Sequence, residues 1–279
     1  MYILFDIGGT KMRVAAASGT GSFTEPQIAP TPQNFEEGIV TLVRMAKTAA
    51  GSEPIERIVG GIAGTVDKEN GSVMNERHLP DWSGKPFQKA VSEALGAPVT
   101  IENDAAMVGL GEAHFGAGKG FSIVAYLTIS TGVGGARIVN GVIDESTRGF
   151  EPGRQTIDPD NTLCPTCPGN TFEDYVSGTG VEKRFGKKPA EITDTAVWDE
   201  LAKFLAYGVN TTVAYWSPDV VVLGGSMMRE VGIPVDRVQE HLKEIFHITA
   251  DMPNVVKATL GDLGGLYGAL AYAQGKGAE

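Results

Sequence analysis

Apolar and polar positions along the chain alternate between two rhythms. Tyr2–Ile7 is a short apolar run and Met12–Ala16 another, with Gly8-Gly9-Thr10-Lys11 between them, so the pattern predicts two strands joined by a glycine turn. Over 35–50 the period changes to that of a helix, with Ile39, Leu42, Val43 and Ala46 on one face. A strand over 55–59 follows, ending in Gly60-Gly61-Ile62-Ala63-Gly64-Thr65, and Asn70-Gly71 marks a hairpin turn. Phe87, Ala90, Val91, Ala94 and Leu95 mark a second helix, and Val99-Thr100 a β-favouring run. Residues 24–34, rich in Pro, Thr and Gln, read as a connection.

The order then restarts. Ile123–Ile129 reads as a strand, Ser130–Gly135 as a glycine turn and Ala136–Val139 as the returning strand, which repeats residues 2–16 and suggests a duplicated topology. An irregular stretch covers 144–170. Helices are predicted near 172–185, 197–216 and 235–245, with strands at 219–223 and 255–260 and a small-residue helix opening at Gly264. The fold class is α/β.

The stretch Ile101-Glu102-Asn103-Asp104-Ala105-Ala106 lies between a strand and a helix, so Asn103 or Asp104 belongs at an N-cap. A carboxylate at such a junction, beside loops suited to phosphate, is also what a kinase uses to take a proton from a substrate hydroxyl. In the first turn, Gly8 and Gly9 let backbone N–H groups approach phosphate oxygens, and Thr10 and Lys11 add a hydroxyl and a charge. Asp6, ending the first strand, could hold Mg²⁺ through water. Thr131, Gly132 and Gly134 offer the same chemistry, and Gly224, Gly225 and Ser226 end a Val-rich strand where ligands bind in open α/β sheets. No Walker A spacing is present at these turns.

Composition narrows the partners. The 279 residues carry a net charge of −11, which argues against nucleic acid and against an anionic membrane surface. No apolar run is long enough to span a bilayer, and Tyr2–Phe5 is cut off by Asp6 with no basic segment before it, unlike a signal peptide. Cys164 and Cys167 are too few for a disulfide framework; they read as reduced thiols on a loop, and the expected compartment is the cytoplasm. His114, His241 and His247 suggest solvated or capping roles.

Taken in order, Asp6-Ile7-Gly8-Gly9-Thr10-Lys11, Gly61-Ile62-Ala63-Gly64, Leu79-Pro80-Asp81-Trp82, Ile101-Glu102-Asn103-Asp104-Ala105 and Ser130-Thr131-Gly132-Val133-Gly134-Gly135 resemble the ROK family of sugar kinases and sugar-responsive repressors, over essentially the whole chain. The resemblance implies a two-lobed actin-like, hexokinase-like (ribonuclease H-like) ATPase fold with a cleft between lobes. The small lobe would span 1–116, joined by the C-terminal helix 265–279, and the large lobe 117–264. A hexose would lie between them and ATP mainly on the large one. It implies an ATP- and Mg²⁺-dependent hexose kinase of glucokinase type acting on the 6-hydroxyl, with Asp104 as general base. Gly64, Thr65, Asn103, Glu151, Arg154 and Glu173 would hold the sugar. Fructose, mannose, N-acetylhexosamines and allose stay open as substrates, as does a homodimer. A non-catalytic sugar-binding regulator fits the retained Asp6, Asp104 and phosphate turns less well. A repressor would need a helix-turn-helix ahead of the first glycine turn, where this chain starts its first strand at Tyr2.

Two departures stand out. The family places structural zinc on Glu-x-Gly-His and Cys-x-Cys-Gly-x-x-Gly-Cys-x-Glu. Here Arg154 takes the His position, Thr166 and Thr171 take two Cys positions, and Cys164 alone is in register, with Cys167 one residue late. Zinc is therefore not expected; Arg154 is expected to order the segment instead, by pairing with Asp158 or Asp160 while positioning Glu151. His78 also stands where an Asn often precedes Leu-Pro.

Overall fold

The glycine turns fall where the pattern puts them because the apolar runs on either side pair as hairpins. The structure, a computed structural model, describes residues 1–19, 21–74, 79–229 and 231–276, so His78 lies outside the described residues. The chain divides into two units. One comprises Met1–Phe115, Gly141–Gly149 and Asp262–Glu279, the other Gly116–Asn140 and Phe150–Gly261.

The first unit is built on β1 (Tyr2–Ile7), flanked by antiparallel β2 (Lys11–Ala17) and parallel β4 (Arg57–Ile62). Strands β3 (Gln27–Pro30) and β7 (Val99–Asn103) complete the order β3-β2-β1-β4-β7. Residues 27–30, expected as a connection, pair with Lys11–Val14 at the sheet edge, where a proline's missing donor costs nothing. Strand β4 runs through Gly60 and Gly61 to Ile62 instead of stopping at 59. A small hairpin, β5 (Thr65–Asp67) and β6 (Ser72–Met74), turns at Asn70-Gly71 as predicted.

Both faces of this sheet are covered, which explains its continuous apolar runs. Ile3, Phe5 and Ile7 face a core with Leu42 and Met45 of α1 (Phe35–Ala50) and Phe87 and Val91 of α2 (Phe87–Leu95). Helix α1 starts at Asn34, whose side chain accepts from the Glu37 N–H at 3.1 Å. The Leu-Pro-Asp-Trp stretch serves this core. Trp82 is buried against Phe35 and Phe87 and donates to the Pro32 carbonyl, while Asp81 accepts from the Phe35 N–H at 2.9 Å. The other face carries α3 (Asp104–Phe115) and α8 (Gly264–Ala273), which pack on β4 and on each other. Their axes come so close that a β-carbon at position 268 would fall on the Met107 carbonyl oxygen. The short β10 (Val142–Ile143) packs beside α3. There the His114 ring reaches the Gly141 and Lys276 carbonyls at 2.7 and 3.1 Å, which gives it a strapping role.

In the second unit β8 (Ile123–Ile129) pairs antiparallel with β9 (Val133–Val139) and parallel with β11 (Val220–Gly224), which pairs parallel with β12 (Asn254–Lys257). The order β9-β8-β11-β12 repeats β2-β1-β4-β7 strand for strand, so the duplication suggested by the sequence is present in the sheets. Helix α6 (Thr195–Trp216) buries Leu201, Leu205, Val209 and Val213 and packs on α7 (Val235–Ile245). The predicted helix over 172–185 is two pieces, α4 (Phe172–Val176) and α5 (Gly178–Phe185), because Ser177 is extended and caps the second through the Gly180 N–H. On α7, His241 pairs with Asp199 of α6 at 3.1 Å.

Candidate active site

Strand β1 delivers Asp6 to the face covered by α8, since its neighbours Phe5 and Ile7 point into the opposite core. The carboxylate accepts from Arg13 at 3.2 Å, and both side chains are largely buried. Burial pushes the Asp6 carboxyl up, and the Arg13 guanidinium opposes that shift. Arg13 also reaches Asp262 at 3.6 Å. In the turn that follows, the Gly8 N–H donates to the Lys11 carbonyl at 2.9 Å. The turn's carbonyls are taken from outside: Gly8 by the Thr31 hydroxyl, Thr10 by the Thr31 N–H and Gly9 by the Gln33 amide. The Gly9 and Thr10 N–H groups have no partner among the described residues, and Thr10 and Lys11 are exposed. This is an arrangement suited to an anion.

Strand β7 ends in Asn103, and α3 begins at Asp104. Asn103 is the cap: its oxygen accepts from the Ala106 N–H at 3.1 Å, and its amide donates to the Gly64 carbonyl at 3.0 Å. Asp104 is thus left on the first helical residue, half-buried, at the end of a helix where negative charge is stabilised. Its backbone sits against β4, where a β-carbon at position 61 would lie 3.1 Å from the Asp104 α-carbon. Gly61→Val is therefore expected to displace the start of α3 and, with Asp104 in the catalytic role proposed below, to cut turnover at least tenfold. Steady-state kinetics checks this. Glu102, to which the sequence reading gave no role, braces the junction. It is buried, pairs with Lys68 at 2.6 Å and accepts from the Asn103 N–H.

In the second unit two turns meet. The Ser130 hydroxyl lies 3.0 Å from that of Ser226, which joins the Thr131-Gly132-Val133-Gly134 turn to Gly224-Gly225-Ser226. Ser130, absent from the expected ligands although it opens the Ser-Thr-Gly turn, is the link. The start of α5 rests on the same turn, with the Gly178 and Thr179 N–H groups donating to the Ser130 and Thr131 carbonyls. Glu173, on α4, accepts from the Val133 N–H at 2.9 Å and pairs with Arg154 at 3.1 Å. Glu151 precedes the turn Pro152–Arg154, and its carbonyl accepts from the Arg154 N–H.

Arg154 therefore pairs with Glu173, contrary to the expectation of Asp158 or Asp160. Asp158 is already occupied: it is buried and accepts from the Tyr175 hydroxyl and from the Thr162 and Leu163 N–H groups at 3.0 and 2.8 Å. Burial alone would raise its carboxyl, yet the Tyr175 hydroxyl and the N–H groups of Thr162, Leu163 and Cys164 outweigh it and hold it below the usual range. The native carboxyl thus binds its proton more weakly than the unfolded one. Its stabilisation is complete above the unfolded value of about 4 and is lost as pH falls through the lower native value. Asp158→Asn should be less stable than the wild type at pH 7, with the gap closing as pH falls below the unfolded carboxylate value and through the lower native one; urea midpoints measure it.

The two cysteines are joined as a disulfide, not reduced as expected, with α-carbons 5.4 Å apart. A structural zinc site needs four donors, thiolate or imidazole for the most part. Here the two sulfurs are bonded to each other, the fourth position is a cationic arginine, and among the described residues no three His, Cys, Asp or Glu side chains are grouped for a metal. The residues do not fit zinc. Mg²⁺ asks less of the protein, because it keeps several waters and is carried largely by substrate phosphates; a single buried carboxylate such as Asp6 fits that role.

The sequence model of the ROK family matches residues 2–276. A glucokinase of Streptomyces coelicolor is 25% identical over 96% of this chain and 96% of its own. An N-acetyl-D-glucosamine kinase of Citrobacter koseri is 28% identical over 96% of this chain and 98% of its own. The solved ROK family glucokinase of Streptomyces griseus, in complex with glucose and AMPPNP, superposes with a TM-score of 0.79 at 25% identity, covering 97% of this chain and 98% of that one. Among the described residues no helix is long and apolar enough to cross a membrane. With the repeated sheets, the two glycine hairpins and a match over nearly its whole length, this chain belongs to the ROK family and has the actin-like ATPase fold of the ROK hexokinases.

Proposed function

We propose that the chain is an ATP-dependent hexose kinase of glucokinase type, transferring the γ-phosphoryl group to the sugar's 6-hydroxyl. The observation that carries this reading is the junction at Asn103-Asp104. Asn103 caps the helix, and a half-buried carboxylate follows on its first residue, Asp104, on rigid secondary structure. In this role Asp104 takes the hydroxyl proton as the sugar oxygen attacks the γ-phosphorus and ADP departs. Backbone N–H groups of Gly8-Gly9-Thr10-Lys11 and of Thr131, Gly132 and Gly134, with Gly224, Gly225 and Ser226, hold the phosphates. Gly64, Thr65, Asn103, Glu151, Arg154 and Glu173 hold the sugar, carboxylates accepting from its hydroxyls and Arg154 donating to an oxygen. Asp6 would hold the Mg²⁺ that accompanies the nucleotide, and that ion would supply charge neutralisation on the phosphate oxygens.

A panel of glucose, mannose, fructose, allose, N-acetylglucosamine and N-acetylmannosamine with MgATP, read by coupled ADP release, tests the proposal. Turnover is expected with glucose. No hexose-dependent ADP release with any of the six would overturn it. A preference for an N-acetylhexosamine would keep the reaction and move the substrate towards that of the Citrobacter koseri relative.

A further inference from the structure

Helix α4 has only five residues, Phe172–Val176, too short to hold its own pitch in water. Glu173 and Tyr175 are two positions apart on it and so face different ways. Glu173 reaches the Val133 N–H and Arg154, while Tyr175 turns inward, 1% exposed, with its ring edge-on to Phe204 at 4.9 Å between centroids. Inside, its hydroxyl donates to Asp158, itself 3% exposed. Asp158 also gathers the Thr162 and Leu163 N–H groups and the Thr162 hydroxyl, closing residues 158–163 into a loop around one carboxylate. The neck of this excursion is fastened by the Thr156–Thr171 bridge and by Phe172 N–H donating to the Gln155 carbonyl at 2.8 Å. Thr171 and Asp174 then cap the start of α4 reciprocally. A buried carboxylate with this many donors is costly to leave short of one, so the Tyr175 hydroxyl has a strong preference for a single place.

We infer that Asp158 and Tyr175 are positioning residues for the phosphoryl-transfer site: their buried hydroxyl–carboxylate bond sets the rotation of Phe172–Val176, and through it holds the Glu173 carboxylate between Val133 and Arg154. The inference rests on the kinase reading above for what Glu173 does with substrate, but not for where Glu173 is held.

Tyr175→Phe keeps the ring against Phe204 and removes only the hydroxyl. Its KM for the preferred sugar is expected to rise about tenfold, the scale of one buried hydrogen bond lost, with kcat within threefold and the KM for ATP little changed. Thr162→Val removes a donor from Asp158 without touching the link to α4, and should lower the melting temperature while leaving the sugar KM alone. Crystal structures of wild type and Tyr175→Phe give the Glu173 to Val133 distance directly, expected to open beyond hydrogen-bonding range in the variant. Asp158→Asn serves the same comparison if Tyr175→Phe does not fold. An unchanged Glu173 to Val133 contact, or a sugar KM that moves no more than in Thr162→Val, overturns the inference. A wild-type protein that phosphorylates no hexose, yet loses that contact in Tyr175→Phe, would sink the kinase reading and leave the positioning role standing.

Discussion

Asp104→Asn is expected to lower kcat by roughly 10²–10⁴-fold, the usual worth of a general base, while changing sugar affinity far less. Asparagine keeps the size of the side chain and an oxygen able to accept from the Ala105 N–H, which lies 2.8 Å from the Asp104 carboxylate. Asn103 remains to cap the helix, so α3 should still start where it does. What disappears is the carboxylate that, in the proposed reaction, accepts the hydroxyl proton. Turnover is measured at saturating MgATP with whichever hexose the wild type prefers, beside a melting curve showing an intact fold. A variant that turns over near the wild-type rate would remove Asp104 from the role of base.

The second large effect is on stability. Gly268→Ala places a methyl group where the Met107 carbonyl of α3 already lies, so α3 and α8 must separate. Overpacking typically costs 1–3 kcal/mol, and a clash with backbone belongs at the upper end, about 3 kcal/mol. Because α3 carries Asp104 at its first residue, activity should fall with stability at temperatures well below melting. The urea midpoint measures the first effect and initial rates the second. A midpoint within experimental scatter of the wild type would mean that the helices cross less tightly than described.

Local signals made much of this molecule legible. Apolar runs and glycines identified both hairpins, and the helical period placed α1 at Phe35–Ala50 to the residue. Asp6, Asn103, Asp104 and the three turns could be singled out for the same reason, since each lies at a strand end next to glycines or at a strand–helix junction. Pairing between distant residues was not legible. In the sequence the carboxylates that follow Arg154 most closely are Asp158 and Asp160, whereas its partner Glu173 is brought to it by α4. Asp158 was unavailable because a tyrosine hydroxyl and the N–H groups of its own loop had claimed it, and no sequence rule weighs such competitors. The edge strand Gln27–Pro30 was hidden by its composition, which resembles a linker until β2 is there to pair with it. Trp82 stood out only as part of a family motif; its role as a core anchor depends on Phe35 and Phe87.

The close crossing of α3 and α8 also bears on how the protein is made. Helix α8 covers the sheet of the first unit, yet it is synthesised only after the whole of the second unit, Gly116–Asn140 and Phe150–Gly261. On the ribosome, β1, β4 and α3 must wait with one apolar face uncovered while the second unit emerges and can already close its own core. The contacts that seal the first unit are of very high sequence separation, and are the kind that form late and slowly. Nascent chains stalled before Gly264 would thus expose the α8-facing side of the first unit to chaperones, and release of the final helix would be the step that withdraws it.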